Sequence, residues 1–375
     1  MSPETLLMMA DSEHDANMLY AVRMFVPDPF IYLRIRGRCL IVMSDLEIDR
    51  AREQAPHCEA VSLTQCRKQL EKQRRTPTYP QIIRLLLSRE GVRSVTVPYN
   101  FSYGLANDLR RLGIRVVARN GTFFPQRERK NAEEVKKISA ALTMAEVGLA
   151  EGMQALRAAK IGRKGRLTYK NNPLTSEKLR GIIESAIAQA GGTATNTIVA
   201  GGRQGCDPHE RGHGVLRANE PIIIDVFPRS QRTGYFGDIT RTVVKGRASE
   251  ILRKMYCTVE RGQDIAFECI SNKVSGRKVH ETILKFFQKE GFKTGKVNGH
   301  MQGFFHGTGH GLGLEIHESP RMSPTTTDTL RSGQVVTVEP GLYYPEIGGV
   351  RLEDVAHITG KGPKNLTRFE KVLEL

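Results

Sequence analysis

Tryptophan is absent from the 375 residues, and that absence carries no functional message. Other gaps exclude more. No apolar run approaches the roughly 18 to 20 residues that span a bilayer, and the longest, such as Pro221 to Val226, have the length of buried strands. The opening MSPETLLMMADSEHDANMLY carries acidic residues where an export signal needs a basic start, and its apolar run is short. A cytoplasmic protein with no membrane partner is expected. The six cysteines, Cys39, Cys58, Cys66, Cys206, Cys257 and Cys269, include no Cys-x-x-Cys pair. That spacing excludes a zinc knuckle and a dithiol redox motif, and it predicts mostly buried, reduced thiols. Cys206 lies nearest the suspected site and is expected to be structural.

The composition, 39% hydrophobic and 26% charged, is that of an ordinary globular protein, and the length predicts two domains, each with its own core. The net charge of +16 is unevenly placed: residues 67–180 hold 25 Lys and Arg against 9 Asp and Glu, so the remainder of the chain is balanced. This block includes Arg67 to Arg75 and Arg127 to Lys130. It lacks interleaved aromatics, a helix-turn-helix signature and zinc spacing. A solvated basic surface is therefore expected, and nucleic acid is not an expected partner.

Between Asp28 and Met43, β-branched and aromatic residues alternate with Arg around Gly37, which predicts two strands and a turn. A strand (Ser94 to Pro98), a helix (Tyr103 to Leu112) and a second strand (Ile114 to Ala118) follow, giving an α/β domain over residues 1–125. The second domain, residues 126–375, opens with a long helix from Asn131 to Ala159, where Asn131 is the cap and acidic residues fill the first turn. The basic, Gly-containing stretch 161–173 reads as an exposed loop before another helix, Thr175 to Ala190. Beyond residue 195 come apolar strands punctuated by Gly, Pro and carboxylates, with helices near 250–270 and 278–290.

The chemistry lies in that last stretch. PIIID ends a buried-strand run at Asp225, and FGDIT places Asp238 in a second strand after a Gly-containing turn. Adjacent antiparallel strands would set the two carboxylates side by side, an arrangement that is costly without a cation or a proton. Taken alone, either Asp is an ordinary strand-end residue. GFFHGTGHGLGLEIHESP holds His306, His310 and His317. Gly307 and Gly309 exclude a helical zinc site, and the spacing fits neither a dinucleotide fingerprint nor a phosphate loop. In extended backbone His306 and His310 share a face, with the glycines expected to admit substrate or metal closely. Glu339 follows an apolar strand in QVVTVEPGLY, and Glu353 sits in GGVRLEDV, where Arg351 is an alternative partner for it. Together, four carboxylates and one imidazole form the oxygen-rich donor set that suits two divalent ions.

The ordered series Asp225, Asp238, His310, Glu339, Glu353, in the contexts IIIDVF, GYFGDITRT, HGTGHGLGLEIHE, VVTVEPGLY and GGVRLED, resembles the metal-binding signature of the superfamily of aminopeptidase P, prolidase, methionine aminopeptidase and creatinase. The resemblance implies a pita-bread α/β fold, a curved antiparallel sheet backed by helices, over roughly residues 130–375. It also implies a smaller creatinase-type amino-terminal domain, which argues against the short methionine aminopeptidases and for a homodimer. Carried over by position, Asp225 chelates one ion, Asp238 and Glu353 bridge both, and His310 with Glu339 completes the second. Manganese is the first choice of metal, with cobalt, zinc or iron also suited to the donors. Glu339 takes the proton of the attacking water and passes it to the leaving nitrogen. His209 and His317 contact the substrate carbonyl, His306 is a further pocket histidine, Arg351 is a substrate contact, and His213 has no counterpart. The implied reaction is cleavage between an amino-terminal residue and proline in a peptide substrate. The alternatives are another metal-dependent reaction on the same scaffold, such as a different peptide hydrolysis or a carbon–sulfur lyase, and a non-catalytic binding protein. Two departures bear on the pocket: the loop between Asp225 and Asp238 is longer than the commonest family spacing, and His209 stands nearer to Asp225.

Overall fold

Strands form in the amino-terminal third wherever β-branched and aromatic residues run between turn formers, and their alternating side chains supply two cores rather than one. In the strand Leu6–Ala10, Leu7 joins an apolar cluster with Ile31, Leu33, Ile82 and Val95, while Leu6 and Met8 join another with Phe30, Tyr32 and Phe124. The computed structural model describes residues 4–375 and divides into two compact units between Arg127 and Glu128. The first unit is a six-stranded sheet in the order Glu59–Ser62, Arg38–Met43, Phe30–Ile35, Leu6–Ala10, Ser94–Pro98, Arg115–Arg119. Arg36 and Gly37, both at positive φ, make the tight turn expected near Gly37.

One expectation about this unit fails. Cys39 and Cys58 form a disulfide, with Cα atoms 4.6 Å apart. The parallel register that sets Leu40 against Glu59 brings them together, and no spacing motif announces such a pair. The other four cysteines are free, with only Cys66 fully buried. Burial pushes the half-buried Cys206 thiol up to about 11, which leaves it protonated and unreactive at neutral pH.

The second unit opens on the helix Ala132–Ala158. Its cap is complete: the Asn131 side chain accepts the Glu133 and Glu134 N–H groups, and the Glu134 carboxylate accepts the Asn131 N–H. The stretch 161–173 is not a plain loop. It folds into short strands, Lys160–Ile161, Leu167–Tyr169 and Asn172–Pro173, because fully buried Leu167 anchors it while Lys164, Lys170 and Asn171 turn at positive φ. Two larger antiparallel sheets follow, along with a two-stranded ribbon of Gly341–Tyr344 and Gly348–Arg351. Three strands run in the order Ile198–Gly201, Ile222–Val226, Ile239–Val243, and five in the order Glu318–Met322, Gly309–Gly311, Val335–Val338, Asp354–Thr359, Gly362–Asn365. Helices Glu250–Cys269 and Gly276–Lys289 pack an apolar core with the second sheet through Val259, Ile283, Phe287, Val336 and Val338. No described helix is long and apolar enough to cross a membrane.

Gly237, next to Asp238, lets the long helix reach the three-stranded sheet. A Cβ there would stand 2.4 Å from the backbone of Ala141 and Leu142. Gly237→Ala must therefore push the helix or the Asp238 strand aside, at about 1–3 kcal/mol of overpacking. A lower thermal midpoint is expected, and a wild-type midpoint would show that the contact is slack.

Candidate metal centre and cleft

The two aspartates come from neighbouring strands because apolar Ile222–Val226 pairs antiparallel with Ile239–Val243. The register sets Asp225 opposite Thr240, with Asp238 at the entry to the second strand. His310 projects from Gly309–Gly311, Glu339 follows Val335–Val338, and Glu353 occupies the break between Gly348–Arg351 and Asp354–Thr359. Side-chain ligand atoms of Asp238, His310 and Glu353 lie within 4.8 Å of one another. His310 Nε2 is 3.3 Å from Glu339 Oε1 and 3.8 Å from Asp238 Oδ2. The strand Gly309–Gly311 approaches its two neighbours, Val335–Val338 and Glu318–Met322, through glycines. A Cβ on Gly309 would stand 2.0 Å from the Thr337 carbonyl oxygen and one on Gly311 2.2 Å from that of Ser319, so these glycines admit neighbouring backbone, while Gly307 and Gly309 also line the cleft.

The centre is aligned by bonds around it. His310 Nδ1 donates to the Gly311 carbonyl at 3.2 Å, which fixes the ring with Nε2 facing the carboxylates. Thr240 donates to Glu353 Oε2 at 2.8 Å, and Thr337 donates to Glu339 Oε1 at 3.3 Å. Behind them Arg241, 1% exposed, donates to the carbonyls of Thr240, Glu353, Phe369 and Glu370 and to Asp354 Oδ1. One guanidinium thus ties the strands of Asp238 and Glu353 to the carboxy-terminal segment.

Arg351 does not pair with Glu353. Its Nη2 donates to Asp225 Oδ2 at 2.7 Å and its Nη1 to the Tyr343 hydroxyl at 3.0 Å. The strand Gly348–Arg351 ends at Arg351, and Glu353 lies in the break before Asp354–Thr359, so the two do not share the face that a continuous strand would give them. Because Tyr343 accepts from Arg351, its own proton goes to His306 Nε2 at 2.8 Å, and His306 Nδ1–H donates to the Gly307 carbonyl at 2.7 Å. A single tautomer satisfies the chain Arg351, Tyr343, His306. Asp225 Oδ1, by contrast, is buried without a hydrogen-bond partner among the described residues. A buried carboxylate oxygen left open in this way, beside further carboxylates and an imidazole nitrogen, fits a hard divalent cation.

Electrostatics say the same. Burial, then the charges of Glu353, Asp225 and Glu339, push the Asp238 carboxyl well above its ordinary range. Burial, then Glu339 and Asp225, do the same to Glu353. Asp225 is raised by burial, with Arg351 opposing. Burial also works against Glu339, but the His310 hydrogen bond and charge, with His306 and Arg351, hold it at about 2. His306 and His317 are both pushed down to about 4, chiefly by burial, and are neutral near pH 7.

All nine residues singled out from the sequence, Asp225, Asp238, His310, Glu339, Glu353, His209, His306, His317 and Arg351, line one cleft of about 790 Å³. His213 is exposed, 3.6 Å from Glu210, and does not line it. The sequence reading missed Tyr343 and Arg321. Tyr343 carried no signal, since its role depends on a bond to Arg351 across the ribbon. Arg321, a cleft-lining cation, carried one: it is the first Lys or Arg after Lys296 in a glycine- and histidine-rich stretch.

Residues 136–360 match the model of metallopeptidase family M24. The chain belongs to metallopeptidase family M24. A relative named Xaa-Pro dipeptidase, from Pyrococcus horikoshii, is 29% identical over 291 residues, 76% of each chain. An uncharacterised peptidase of Bacillus subtilis is 32% identical over 254 residues, covering 63% of this chain and 69% of its own. Among solved structures, the X-Pro aminopeptidase of Thermotoga maritima superposes with a TM-score of 0.84 at 20% identity, covering 99% of this chain and 97% of its own. The prolidase of Pyrococcus furiosus gives 0.79 at 22% identity, covering 99% and 98%. The mixed α/β fold with antiparallel sheets agrees with these pita-bread structures.

In this M24 centre the raised carboxyl groups hold protons that a cation must displace. Raised pKa values mean that Asp238 and Glu353 lose those protons only as pH rises above the ordinary carboxylate range, so metal affinity should climb with pH. Calorimetry in buffers of different ionisation enthalpy is expected to show protons released on binding Mn²⁺, and fewer of them as the pH is raised. Affinity independent of pH without proton release would contradict the electrostatic picture.

Proposed function

We propose that this M24 peptidase hydrolyses Xaa-Pro dipeptides with two divalent ions, Asp225 holding one, Asp238 and Glu353 shared, and His310 with Glu339 completing the other. The observation that carries the reading is the convergence of the buried, proton-holding carboxylates and the open Asp225 oxygen on the cleft that Arg321 also lines. When bound, such a pair of ions acidifies a water and polarises a carbonyl.

The chain's own residues supply the rest. Glu339, ionised at neutral pH, accepts a proton at its carboxylate and returns it to the proline nitrogen, which would otherwise depart as a poor amide anion. His317 and His209, on the cleft wall, offer ring N–H groups to the carbonyl oxygen as charge builds there. His306, its Nε2 occupied by Tyr343, orients rather than transfers protons. Arg351 acts through Asp225 and Tyr343 rather than as a free cation for substrate.

The preference for a dipeptide rests on Arg321, whose guanidinium suits the carboxylate of a carboxy-terminal proline. Phe227, Phe305, Ile198 and Ile316 offer apolar wall for a pyrrolidine ring. The similarity to the Xaa-Pro dipeptidases of Pyrococcus horikoshii and Pyrococcus furiosus supports that choice. Manganese, a homodimer, a cytoplasmic setting, and a creatinase-type amino-terminal domain in the first unit complete the proposal.

Metal-stripped protein should cleave Xaa-Pro dipeptides only after Mn, Co or Zn is restored. Arg321→Ala should raise KM for them by roughly 10- to 100-fold, the worth of a charge-assisted hydrogen bond. Preferred cleavage of Xaa-Pro tripeptides, unaffected by Arg321→Ala, would instead assign an aminopeptidase. Metal-dependent cleavage of proline-free peptides would overturn the proline assignment.

A further inference from the structure

Lys130 and Glu318 form an ion pair of 2.8 Å with side chains only 2% and 6% exposed, and neither belongs to the donor set. The Glu318 carboxylate has more than one use. Its Oε2 accepts from Lys130 Nζ, while Oε1 accepts the backbone N–H groups of Leu314 at 3.0 Å and Glu315 at 3.1 Å. Those amides belong to the loop between His310 and His317. The loop leaves the sheet after Gly311, just past the register shift between His310 and Gly311, and it re-enters at Glu318, opposite Gly311. One side chain therefore closes the loop on itself. Lys130 arrives from a segment that is itself fixed: its N–H donates to the Gly333 carbonyl at 2.7 Å, and Arg129 Nε donates to that of Ser332 at 3.0 Å, in the turn that leads to the Glu339 strand.

We propose that the Lys130–Glu318 pair is a positioning device for His317. The His317 ring stands edge-on to that of His310, 4.4 Å between centroids, so a small shift of the loop moves it against both the donors and the cleft. A buried carboxylate that lacks its cation is unfavourable, and it would draw other donors instead of holding two amides in place. The kinetic consequence rests on the peptidase reading, whereas the order of the loop does not.

The test uses the full chain loaded with Mn²⁺ and compares wild type, Lys130→Met and Lys130→Arg for kcat, KM, metal content and amide exchange. Lys130→Met is expected to lower kcat by roughly 10- to 100-fold, as a displaced catalytic contact does. KM and metal content should stay within about twofold, exchange at Leu314 and Glu315 should quicken about tenfold, and Lys130→Arg should restore most of the loss. In a His317→Ala background Lys130→Met should cost less than about twofold more, because the pair acts through His317. Unchanged exchange at Leu314 and Glu315, or an equal loss in the His317→Ala background, would overturn the proposal. Should Lys130→Met fail to fold, Lys130→Met with Glu318→Gln carries the same comparison without stranding a charge. If the wild type cleaves no Xaa-Pro peptide, the peptidase reading fails while the exchange rates still decide the role of the pair.

Discussion

Mutual repulsion of buried carboxylates is the constraint on which this structure turns. Two like charges about 4 Å apart cost about 4 kcal/mol at an effective dielectric constant near 20, and burial adds to that. Asp225, Asp238, Glu339 and Glu353 nevertheless face one cleft from separate strands. Without metal the strain is eased by a raised proton affinity at Asp238 and Glu353, by Arg351 at Asp225, and by His310 at Glu339. Each is a different answer to the same problem, and together they leave one oxygen of Asp225 open.

The surrounding fold resists that repulsion. Arg241 gathers the carbonyls of Thr240 and Glu353 and reaches the carboxy-terminal segment, so the shared donors cannot drift apart without breaking several charge-assisted bonds. Thr240 and Thr337 aim single carboxylate oxygens. Gly237, Gly309 and Gly311 permit helix and strand backbones to close on the donors from behind. Rigid placement of this kind lets a cation replace protons without rearranging the protein.

Much of this was legible in the sequence, where local chemistry dictated it. Asn131 with Glu134 marked the start of the long helix, and the apolar runs ending in Asp225 and beginning at Asp238 predicted an antiparallel pair. All the site residues singled out share the cleft. What escaped depends on tertiary proximity. Cys39 meets Cys58 only through a parallel register, Arg351 finds Asp225 rather than Glu353 because the chain breaks between strands, and Tyr343 matters only through its bonds to Arg351 and His306. The stretch 161–173 read as a loop because its charge outweighed the single buried Leu167 that orders it.

The central claim is that two ions share Asp238 and Glu353, and metal content measures it most directly. Elemental analysis after equilibration with Mn²⁺ should give two ions per chain for the wild type, and Asp238→Asn should lose both, with its fold confirmed by circular dichroism. One ion per chain in the wild type, or loss of a single ion in the folded variant, would contradict the shared arrangement.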